Sequence, residues 1–430
     1  MRMALACTLV LELAGCGRTV LDSGSARPNA AALDASTALL PEVARDQRSA
    51  EVRASKWAGF VLQANYASAG NSIAAGDFDG DGAVDVVVAF WGNGVGNGRA
   101  SVYRNRGDGT LAPPLSYDTT IEAQSVAVGD FSGDHKLDFV VTNGMEDLDL
   151  FVNLGDGSFA PHHLQGPEAV VVMASADFNR DGHPDLAFTT QDRSIDVIFG
   201  DGMGRFSPPL AYATGPIALS LAVSDLNRDG RPDLVATNTD FAGTCPPGLC
   251  LPSGLTGGGV NVFLNRGDGT FGPGATYSAG NGTAAVAAGD LDGDGAPDVA
   301  ATNSVDDTLS VFFNAGDGSF GPPATYANAG SGTSALGEPY PPTGGGVAAA
   351  DFDGDGHVDL AVVRGAQSGR NGSVLVFVNP GDGRFGPPFT SPVTGSPRGF
   401  AVADYNRDGL PDLAVVMDDS SLAMLLSTYE

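Results

Sequence analysis

One short acidic pattern recurs along the chain. It reads D-x-[D/N/S]-x-D-x-x-x-D and occurs seven times, with successive copies starting 47 to 65 residues apart. Oxygen-bearing side chains at alternate positions of a tight loop converge on one point, and Ca²⁺ binds about six to eight such oxygens. Asp and Gly also favour plain hairpin turns, but a turn does not account for an Asp repeated at the ninth position. The pattern therefore predicts calcium-binding loops, up to seven in number.

Positions 1, 3, 5 and 9 of each copy supply the predicted metal ligands. In chain order these are Asp77, Asp79, Asp81 and Asp85; Asp130, Ser132, Asp134 and Asp138; Asp177, Asn179, Asp181 and Asp185; Asp225, Asn227, Asp229 and Asp233; Asp290, Asp292, Asp294 and Asp298; Asp351, Asp353, Asp355 and Asp359; Asp404, Asn406, Asp408 and Asp412. The copy from Asp130 has Ser at position 3 and His135 where the others have Gly. We expect it to bind metal most weakly.

The charge of the chain fits this interpretation. The net charge is −29, and the seven loops hold 24 of the 51 acidic residues. Such an excess of negative charge argues against nucleic acid or an anionic membrane surface as a partner. Seven Ca²⁺ ions would add +14 and bring −29 to −15. Because like charges crowd within each metal-free loop, metal binding should be coupled to folding.

The loops lie within a longer repeat of four short strands. Apolar runs such as Leu221–Val223 precede a loop, and runs such as Val86–Ala89 follow it. A third run comes next, then a turn of the type N-x-G-D-G, and then a fourth strand. Four strands in a period of about 50 residues are typical of one blade of a β-propeller. The sequence predicts an all-β fold, a seven-bladed propeller of four-stranded antiparallel blades.

The last repeat lacks its own fourth strand. Only six GDG-type turns are present, and the chain ends soon after the apolar run Leu422–Leu426. Residues Phe60–Gly70 resemble the fourth-strand segment Phe271–Gly280. We therefore expect the N-terminal strand to complete the last blade, which would leave the ring without a free edge.

The first residues are typical of an exported protein. Residues 1–16 contain one early cation, an apolar run too short to span a bilayer, and Leu-Ala-Gly before Cys16. We interpret residues 1–15 as a lipoprotein signal peptide with Cys16 as the lipidated residue, an ordinary signal peptide being the alternative. Residues 16–56 are predicted to be a flexible tether, and residues 57–430 the propeller. This places the protein at the bacterial outer membrane or cell surface, or otherwise in the periplasm or medium, with a lipid anchor as its only membrane contact.

Cys245 and Cys250 lie close together in the segment TCPPGLC. In an exported chain this spacing favours a small disulfide loop, with two free thiols as the alternative.

The acidic loops and their flanking strands resemble FG-GAP/VCBS-type repeats, which are related to the N-terminal propeller of integrin α subunits. The resemblance covers residues 57–430. It implies a seven-bladed propeller in which the Asp-rich loop binds calcium.

Long insertions occur at the face opposite the predicted metal loops. They fall at residues 91–99, 239–259, 328–346 and 364–372, and contain Trp91 and Tyr340. Long loops gathered on one face suggest a binding surface. The sequence contains none of the hydrolase, metalloprotease or phosphate-binding motifs sought. We therefore expect a monomeric, calcium-stabilised binding or adhesion scaffold for a glycan or protein ligand and not an enzyme. The alternative is a secreted or surface enzyme acting on polysaccharide at that face.

Overall fold

The apolar runs around each acidic loop form strands buried on both sides. The computed structural model describes residues 57–68, 70–90, 98–119, 123–142, 147–241, 255–327, 346–365 and 371–429. Within these residues lie 28 strands, arranged as seven four-stranded antiparallel sheets. The described part holds no helix with the length and apolar character that a membrane span would need.

Each sheet is one blade. Blade 1 consists of β2 (Ser72–Gly76), β3 (Asp85–Phe90), β4 (Arg99–Tyr103) and β5 (Leu115–Asp118). Blade 2 consists of β6 (Ser125–Gly129), β7 (Asp138–Thr142), β8 (Asp147–Asn153) and β9 (Phe159–Gln165). Blade 3 consists of β10 (Val170–Ala176), β11 (Asp185–Thr190), β12 (Ser194–Ile198) and β13 (Leu210–Ala213).

The later blades repeat this order. Blade 4 consists of β14 (Leu221–Ser224), β15 (Asp233–Phe241), β16 (Leu255–Phe263) and β17 (Ala275–Ser278). Blade 5 consists of β18 (Thr283–Gly289), β19 (Asp298–Asn303), β20 (Thr308–Phe312) and β21 (Ala324–Ala327). Blade 6 consists of β22 (Val347–Ala350), β23 (Asp359–Arg364), β24 (Ser373–Phe377) and β25 (Phe389–Pro392).

The last blade joins the two ends of the chain. Blade 7 consists of β26 (Pro397–Ala403), β27 (Asp412–Met417), β28 (Ser421–Tyr429) and, as its fourth strand, β1 (Trp57–Ala67). In the pairing of β1 with β28, Trp57 lies opposite Tyr429 and Ala67 opposite Ser421. The predicted seven-bladed ring and its closure by the N-terminal strand are confirmed.

The hydrophobic cores lie between neighbouring blades. Seven clusters are present among the described residues, and each combines side chains from two adjacent blades. One packs Ile73 and Val86 of blade 1 against Ala414 and Met424 of blade 7. Because each second strand is buried on both faces, it reads as a continuous apolar run, as in β27. The stability of each blade therefore depends on its neighbours.

Strand direction places the acidic loops on one face of the ring. Each acidic loop joins the first and second strands of a blade, and each GDG-type turn joins the third and fourth. Since successive strands run antiparallel, both connections reach the same face, called here the acidic face. Connections between second and third strands, and between blades, reach the opposite face, called here the insertion face.

Candidate metal centres

The acidic loops are shaped by hydrogen bonds from their own backbone to their first Asp. In the loop of blade 1, the Asp77 carboxylate accepts the N–H groups of Gly80 at 2.8 Å and Gly82 at 2.9 Å. The fifth-position residue, Asp81, accepts the N–H of Ala83 at 2.6 Å. Position 4 has a left-handed backbone, with φ of 75° at Gly80, where glycine carries no steric cost. The sequence thus encodes a tight loop whose carboxylates turn toward its centre.

The ninth-position aspartates are fully buried. Asp85 accepts N–H groups from Phe78 of its own loop at 3.0 Å and from Asn105 of the GDG-type turn at 2.7 Å. The same two bonds recur in every blade, at Asp138, Asp185, Asp233, Asp298, Asp359 and Asp412. In blade 2 the loop donor is the third-position residue Ser132. In blades 1 to 6 the ninth-position Asp therefore ties its acidic loop to the neighbouring turn, whereas in blade 7 the second donor is Ser427 of β28.

Three loops bring carboxylate oxygens within 4.8 Å of one another and could hold a metal ion. They are the group of Asp77, Asp79 and Asp85, the group of Asp290, Asp292 and Asp294, and the group of Asp351, Asp353 and Asp355. These are the three copies with four carboxylates. Among the described residues, no other group of this kind is found.

The copies with Asn at position 3 are arranged differently. The Asn179 side-chain amide donates to Asp181 at 3.0 Å, and Asn406 donates to Asp408 at 3.0 Å. The amide group thus stabilises the fifth-position carboxylate without adding negative charge. Less charge is gathered in these loops, which lowers their expected affinity for a divalent cation.

The loop of blade 2 carries its own cation. Lys136 forms an ion pair with Asp134 at 2.7 Å. His135 occupies the position of the usual glycine with φ of 66°, a left-handed conformation that costs energy for a residue with a Cβ. Both features agree with the expectation that this copy binds metal most weakly, although the occupancy of each loop stays a prediction.

Burial raises the pKa of the ninth-position carboxyls. The pKa rises to about 8 at Asp359, to about 7 at Asp185 and Asp412, and to about 6 at Asp85, Asp233 and Asp298. Desolvation is the largest cause, and the backbone N–H donors to each carboxyl act in the opposite direction. The buried acids are thus held in a setting that disfavours their charged form.

The loop of blade 6 contains a second buried carboxyl besides Asp359. Asp353 is only 2% exposed. Burial, followed by the nearby negative charge of Asp355, raises its pKa to about 6. A divalent cation among these oxygens would offset both the desolvation and the repulsion. The donor set, made of carboxylates alone, therefore fits a hard cation such as Ca²⁺.

Asparagines of the GDG-type turns connect neighbouring blades, a role the sequence analysis did not identify. Asn105 of blade 1 donates to the Tyr405 carbonyl of blade 7 at 2.8 Å, and Asn314 of blade 5 donates to the Leu226 carbonyl of blade 4 at 2.7 Å. Asn153, Asn265 and Asn379 make the equivalent bonds. The repetition of this Asn in the turn motif could have indicated its role between blades, but Asn is also common in ordinary turns.

Two arginines link acidic loops of adjacent blades. Arg407 of blade 7 lies 3.2 Å from a carboxylate oxygen of Asp81 in blade 1, and Arg228 of blade 4 lies 3.0 Å from one of Asp294 in blade 5. Both arginines occupy position 4 of Asn-containing copies, with φ of 61° and 58°. Asp294 therefore both belongs to the carboxylate group of its loop and pairs with a cation from the preceding blade, whereas Asp81 lies outside the group formed by Asp77, Asp79 and Asp85.

Other predicted residues fall outside the described part of the chain. These are Cys16, Cys245, Cys250, Trp91 and Tyr340. The lipidation, the disulfide and the recognition role of the two aromatic residues stay predictions.

Comparison with known proteins gives one sequence family. The sequence-family model described as FG-GAP-like repeat matches this chain at six places. These are residues 77–141, 133–188, 177–236, 250–301, 290–362 and 351–415, which together make up more than half of the chain. No curated protein sequence matches the chain.

Solved structures with the same architecture are similar at low sequence identity. BBS1N, in a crystal structure of its complex with ARL6DN, is 11% identical with a TM-score of 0.56, over 86% of this chain and 97% of that one. Raptor from Chaetomium thermophilum is 12% identical with a TM-score of 0.54, over 90% of this chain and 31% of that one. An Agrocybe aegerita lectin that recognises non-reducing terminal N-acetylglucosamine is 20% identical with a TM-score of 0.49, over 77% and 80%. The first two likenesses show the fold.

Proposed function

Because the chain belongs to the FG-GAP-like repeat family, we propose that it is an exported, calcium-binding propeller that serves as an extracellular binding or adhesion scaffold for a glycan or protein ligand. The observation that carries this proposal is the placement of the acidic loops. All seven reach one face of a closed ring, and three of them gather carboxylate oxygens within 4.8 Å.

Calcium has a structural role in this proposal. The side chains at positions 1, 3 and 5, together with any free lone pair at position 9, would hold the ion. Bound there, Ca²⁺ supplies positive charge that neutralises buried carboxylates such as Asp353 and Asp359. The ninth-position Asp already joins its loop to the GDG-type turn. Charge neutralisation would therefore strengthen the contact between two segments of a blade.

Recognition is assigned to the insertion face. Strands β15 and β16 extend toward it as a long hairpin, in which Phe241 lies opposite Leu255. The acidic face is occupied by the metal loops and turns, which leaves the insertion face for a partner. The use of such a ring for a protein partner has a parallel in BBS1N, seen in complex with ARL6DN. Export and lipidation at Cys16 are part of the proposal and are supported by the sequence of residues 1–16.

Calorimetric titration of calcium into chelator-treated protein, with thermal melts before and after, tests the metal part. We expect saturable binding of several ions and a higher melting temperature with calcium. Magnesium at equal concentration is the control, because it accommodates poorly to large all-protein oxygen cages. Absence of both heat and thermal shift would overturn the calcium assignment.

Screening of the calcium-loaded protein on a glycan array and against surface proteins tests the scaffold role. A variant with Trp91→Ala and Tyr340→Ala should lose binding and keep its melting temperature. Binding that survives changes throughout the insertion face would contradict the assignment. Turnover of a polysaccharide in a parallel hydrolase and lyase screen would instead favour the enzymatic alternative.

A further inference from the structure

A tyrosine fills the contact between most pairs of neighbouring blades. It comes from the fourth strand of one blade and contacts an aromatic ring of the next blade. Tyr117 of blade 1 lies 5.7 Å from Phe151 of blade 2, and Tyr277 of blade 4 lies 5.3 Å from Phe320 of blade 5, measured between ring centroids. Tyr66, Tyr212 and Tyr326 make similar contacts at three further junctions.

The tyrosine hydroxyl also satisfies a backbone group. It accepts the N–H of Leu111 at the junction of blades 7 and 1, at 2.7 Å, and the N–H of Phe159 at the junction of blades 1 and 2, at 3.0 Å. Phe271 donates in the same way to Tyr212 at 3.3 Å. Each of these junctions therefore has room for a phenol ring and provides a backbone N–H that donates to its hydroxyl.

The junction of blades 2 and 3 is different at three equivalent positions. Leu164 has the strand register of the tyrosine, since it pairs with Leu148 as Tyr117 pairs with Ala100. Ile198 is the equivalent of Phe151 of blade 2, because it pairs with Leu186 as Phe151 pairs with Phe139. An aliphatic side chain thus replaces an aromatic one. Gly200 replaces the turn asparagine and donates its N–H to Asp185. Among the described residues, this junction thus lacks the fourth-strand tyrosine and the asparagine link, and its aromatic contact is that of Phe131 with Phe206 at 5.8 Å.

A groove of about 710 Å³ lies beside Ile198, and Gln165, the neighbour of Leu164 in sequence, also lines it. Its apolar wall includes Ile198, Phe206 and Pro208, and Gln165 and Pro167 come from blade 2. Phe206 is the counterpart of Leu111, since it forms the equivalent bridge, to Gly200. Among the described residues, nothing accepts a hydrogen bond from the Phe206 N–H. The groove therefore has the space and the free donor that a tyrosine uses at other junctions.

The rest of the groove is acidic. Glu168, Asp192 and Asp196 line it, and none of the described lining residues is basic. Arg193 lies between two of these residues in sequence but does not line the groove. The half-buried Asp196 carboxylate accepts a bond from the Ser194 hydroxyl at 2.8 Å, and no salt bridge to it is present among the described residues. Burial raises the pKa of Asp196, so a cation in the groove would relieve its desolvation.

We propose that this groove between blades 2 and 3 binds a peptide segment of a partner protein that presents a tyrosine beside a lysine or arginine. The tyrosine ring lies against Ile198 and Phe206, and its hydroxyl accepts the Phe206 N–H. The basic side chain pairs with Asp196 and Asp192. This site goes beyond the scaffold role proposed above: Glu168 and Asp192 lie in connections that reach the insertion face, but the site does not involve Trp91 or Tyr340.

Calorimetric titration of the calcium-loaded full chain with the peptide acetyl-Gly-Lys-Tyr-Lys-Gly-amide tests the proposal. We expect one saturable site per chain. Replacing the peptide tyrosine with alanine, or its lysines with glutamates, should weaken binding about tenfold or more, since each change removes one of the two complementary features. Higher salt should weaken binding as well.

Two protein variants locate the site. Leu164→Tyr supplies the ring within the chain and should abolish peptide binding while leaving the melting temperature equal or higher. Asp196→Asn keeps the size of the side chain and should weaken binding about tenfold. Leu115→Tyr, at a 40%-exposed position of β5, is the matched control and should bind as the unaltered protein does.

Binding that is unchanged in both Leu164→Tyr and Asp196→Asn would overturn the proposal, as would failure of the peptide to bind. Should Leu164→Tyr fail to fold, the result with Asp196→Asn decides. Saturable binding of a neutral sugar that displaces the peptide would show that the groove is a carbohydrate site, which also contradicts the proposal. Loss of glycan or protein binding at the insertion face would leave these outcomes unaffected.

Discussion

At the scale of single residues, the ninth-position aspartates have a role that does not require metal. Asp359 is fully buried and accepts three backbone N–H groups, from Phe352 at 2.9 Å, Asp353 at 3.3 Å and Asn379 at 2.7 Å. Asp353 in the same loop belongs to the group that could hold a cation. The two residues look alike in the repeat but should respond differently to the same substitution.

We expect Asp359→Asn to lower the stability of the metal-free protein by about 1 to 3 kcal/mol, because one buried N–H then faces a donor instead of an acceptor. Asp353→Asn is the matched control. It removes a like charge and should keep or raise metal-free stability while weakening calcium binding. Denaturant unfolding in chelator, with calcium titration, measures both effects. Equal loss of metal-free stability in the two variants would contradict this division of roles.

At the scale of elements, the loops differ although they share one pattern. The loop of blade 6 has four carboxylates and a nearly buried Asp353, whereas the loop of blade 2 has Ser132 and an internal ion pair between Lys136 and Asp134. Affinity for calcium depends on the number of charged ligands and on the rigidity of the site. These differences support the prediction that the loops differ in their affinity for calcium.

Calorimetry should resolve at least two classes of calcium site, with the loop of blade 2 weak or silent. Lys136→Gln combined with His135→Gly should strengthen that loop, because it removes the competing cation and restores glycine at a left-handed position. The expected gain is a tighter weak class with no change in the tight class. Seven equal sites in the unaltered protein would refute the ranking.

The repeat itself allowed much of the fold to be predicted. The spacing of the acidic loops indicated seven blades, and the missing last turn indicated that Phe60–Gly70 would complete the ring. Contacts between repeats were not predictable in the same way. Whether Asn314 caps a turn or reaches the Leu226 carbonyl of another blade depends on the angle between blades, which no local pattern records. The groove beside Ile198 was likewise not predictable from the sequence, because it becomes evident only when residues at spatially equivalent positions of the blades are compared.

At the scale of the whole molecule, the ring depends on β1. Trp57 and Phe60 are buried in the core between blades 6 and 7, and the Phe60 N–H donates to the Ser391 hydroxyl at 3.1 Å. Without this strand, β28 would become an open edge. The N-terminal strand is therefore as much a part of blade 7 as the strands that end the chain.

A chain that starts at residue 69 should be much less stable than one that starts at residue 57. We expect a loss larger than the roughly 3 to 5 kcal/mol typical of a single buried Phe or Trp truncation. Both proteins lack residues 1–56, so the comparison isolates β1. Thermal melts and size-exclusion chromatography provide the measurement. Indistinguishable melting curves would show that closure by β1 adds nothing to stability.

The buried acids should also give the metal-free ring an unusual pH dependence. In the unfolded chain these carboxyls titrate near 3.8, but in the folded chain the pKa rises to about 6 at Asp85 and about 8 at Asp359. The folded state then binds more protons, so its stability is fully present below the unfolded pKa and is lost as pH rises through the folded values.

Melting temperature in chelator should therefore fall between about pH 5 and about pH 8. Saturating calcium should reverse or flatten this trend, because the ion binds the deprotonated carboxylates. Differential scanning calorimetry at several pH values, with and without calcium, measures both curves. A metal-free protein that is most stable at the upper end of this range would contradict the argument.

The closure of blade 7 also sets an order of events during synthesis. The Thr428 hydroxyl donates to the Gly59 carbonyl across 369 positions of sequence, so the first of the described strands pairs with the last of them. Blades 1 to 6 each consist of consecutive strands and can assemble as they emerge. The seventh can form only after β28 has been made, and contacts this distant in sequence form slowly. We therefore expect the folding chain to pass through an open, six-bladed arc, and the closing of this arc to be the step most accessible to a chaperone or a protease.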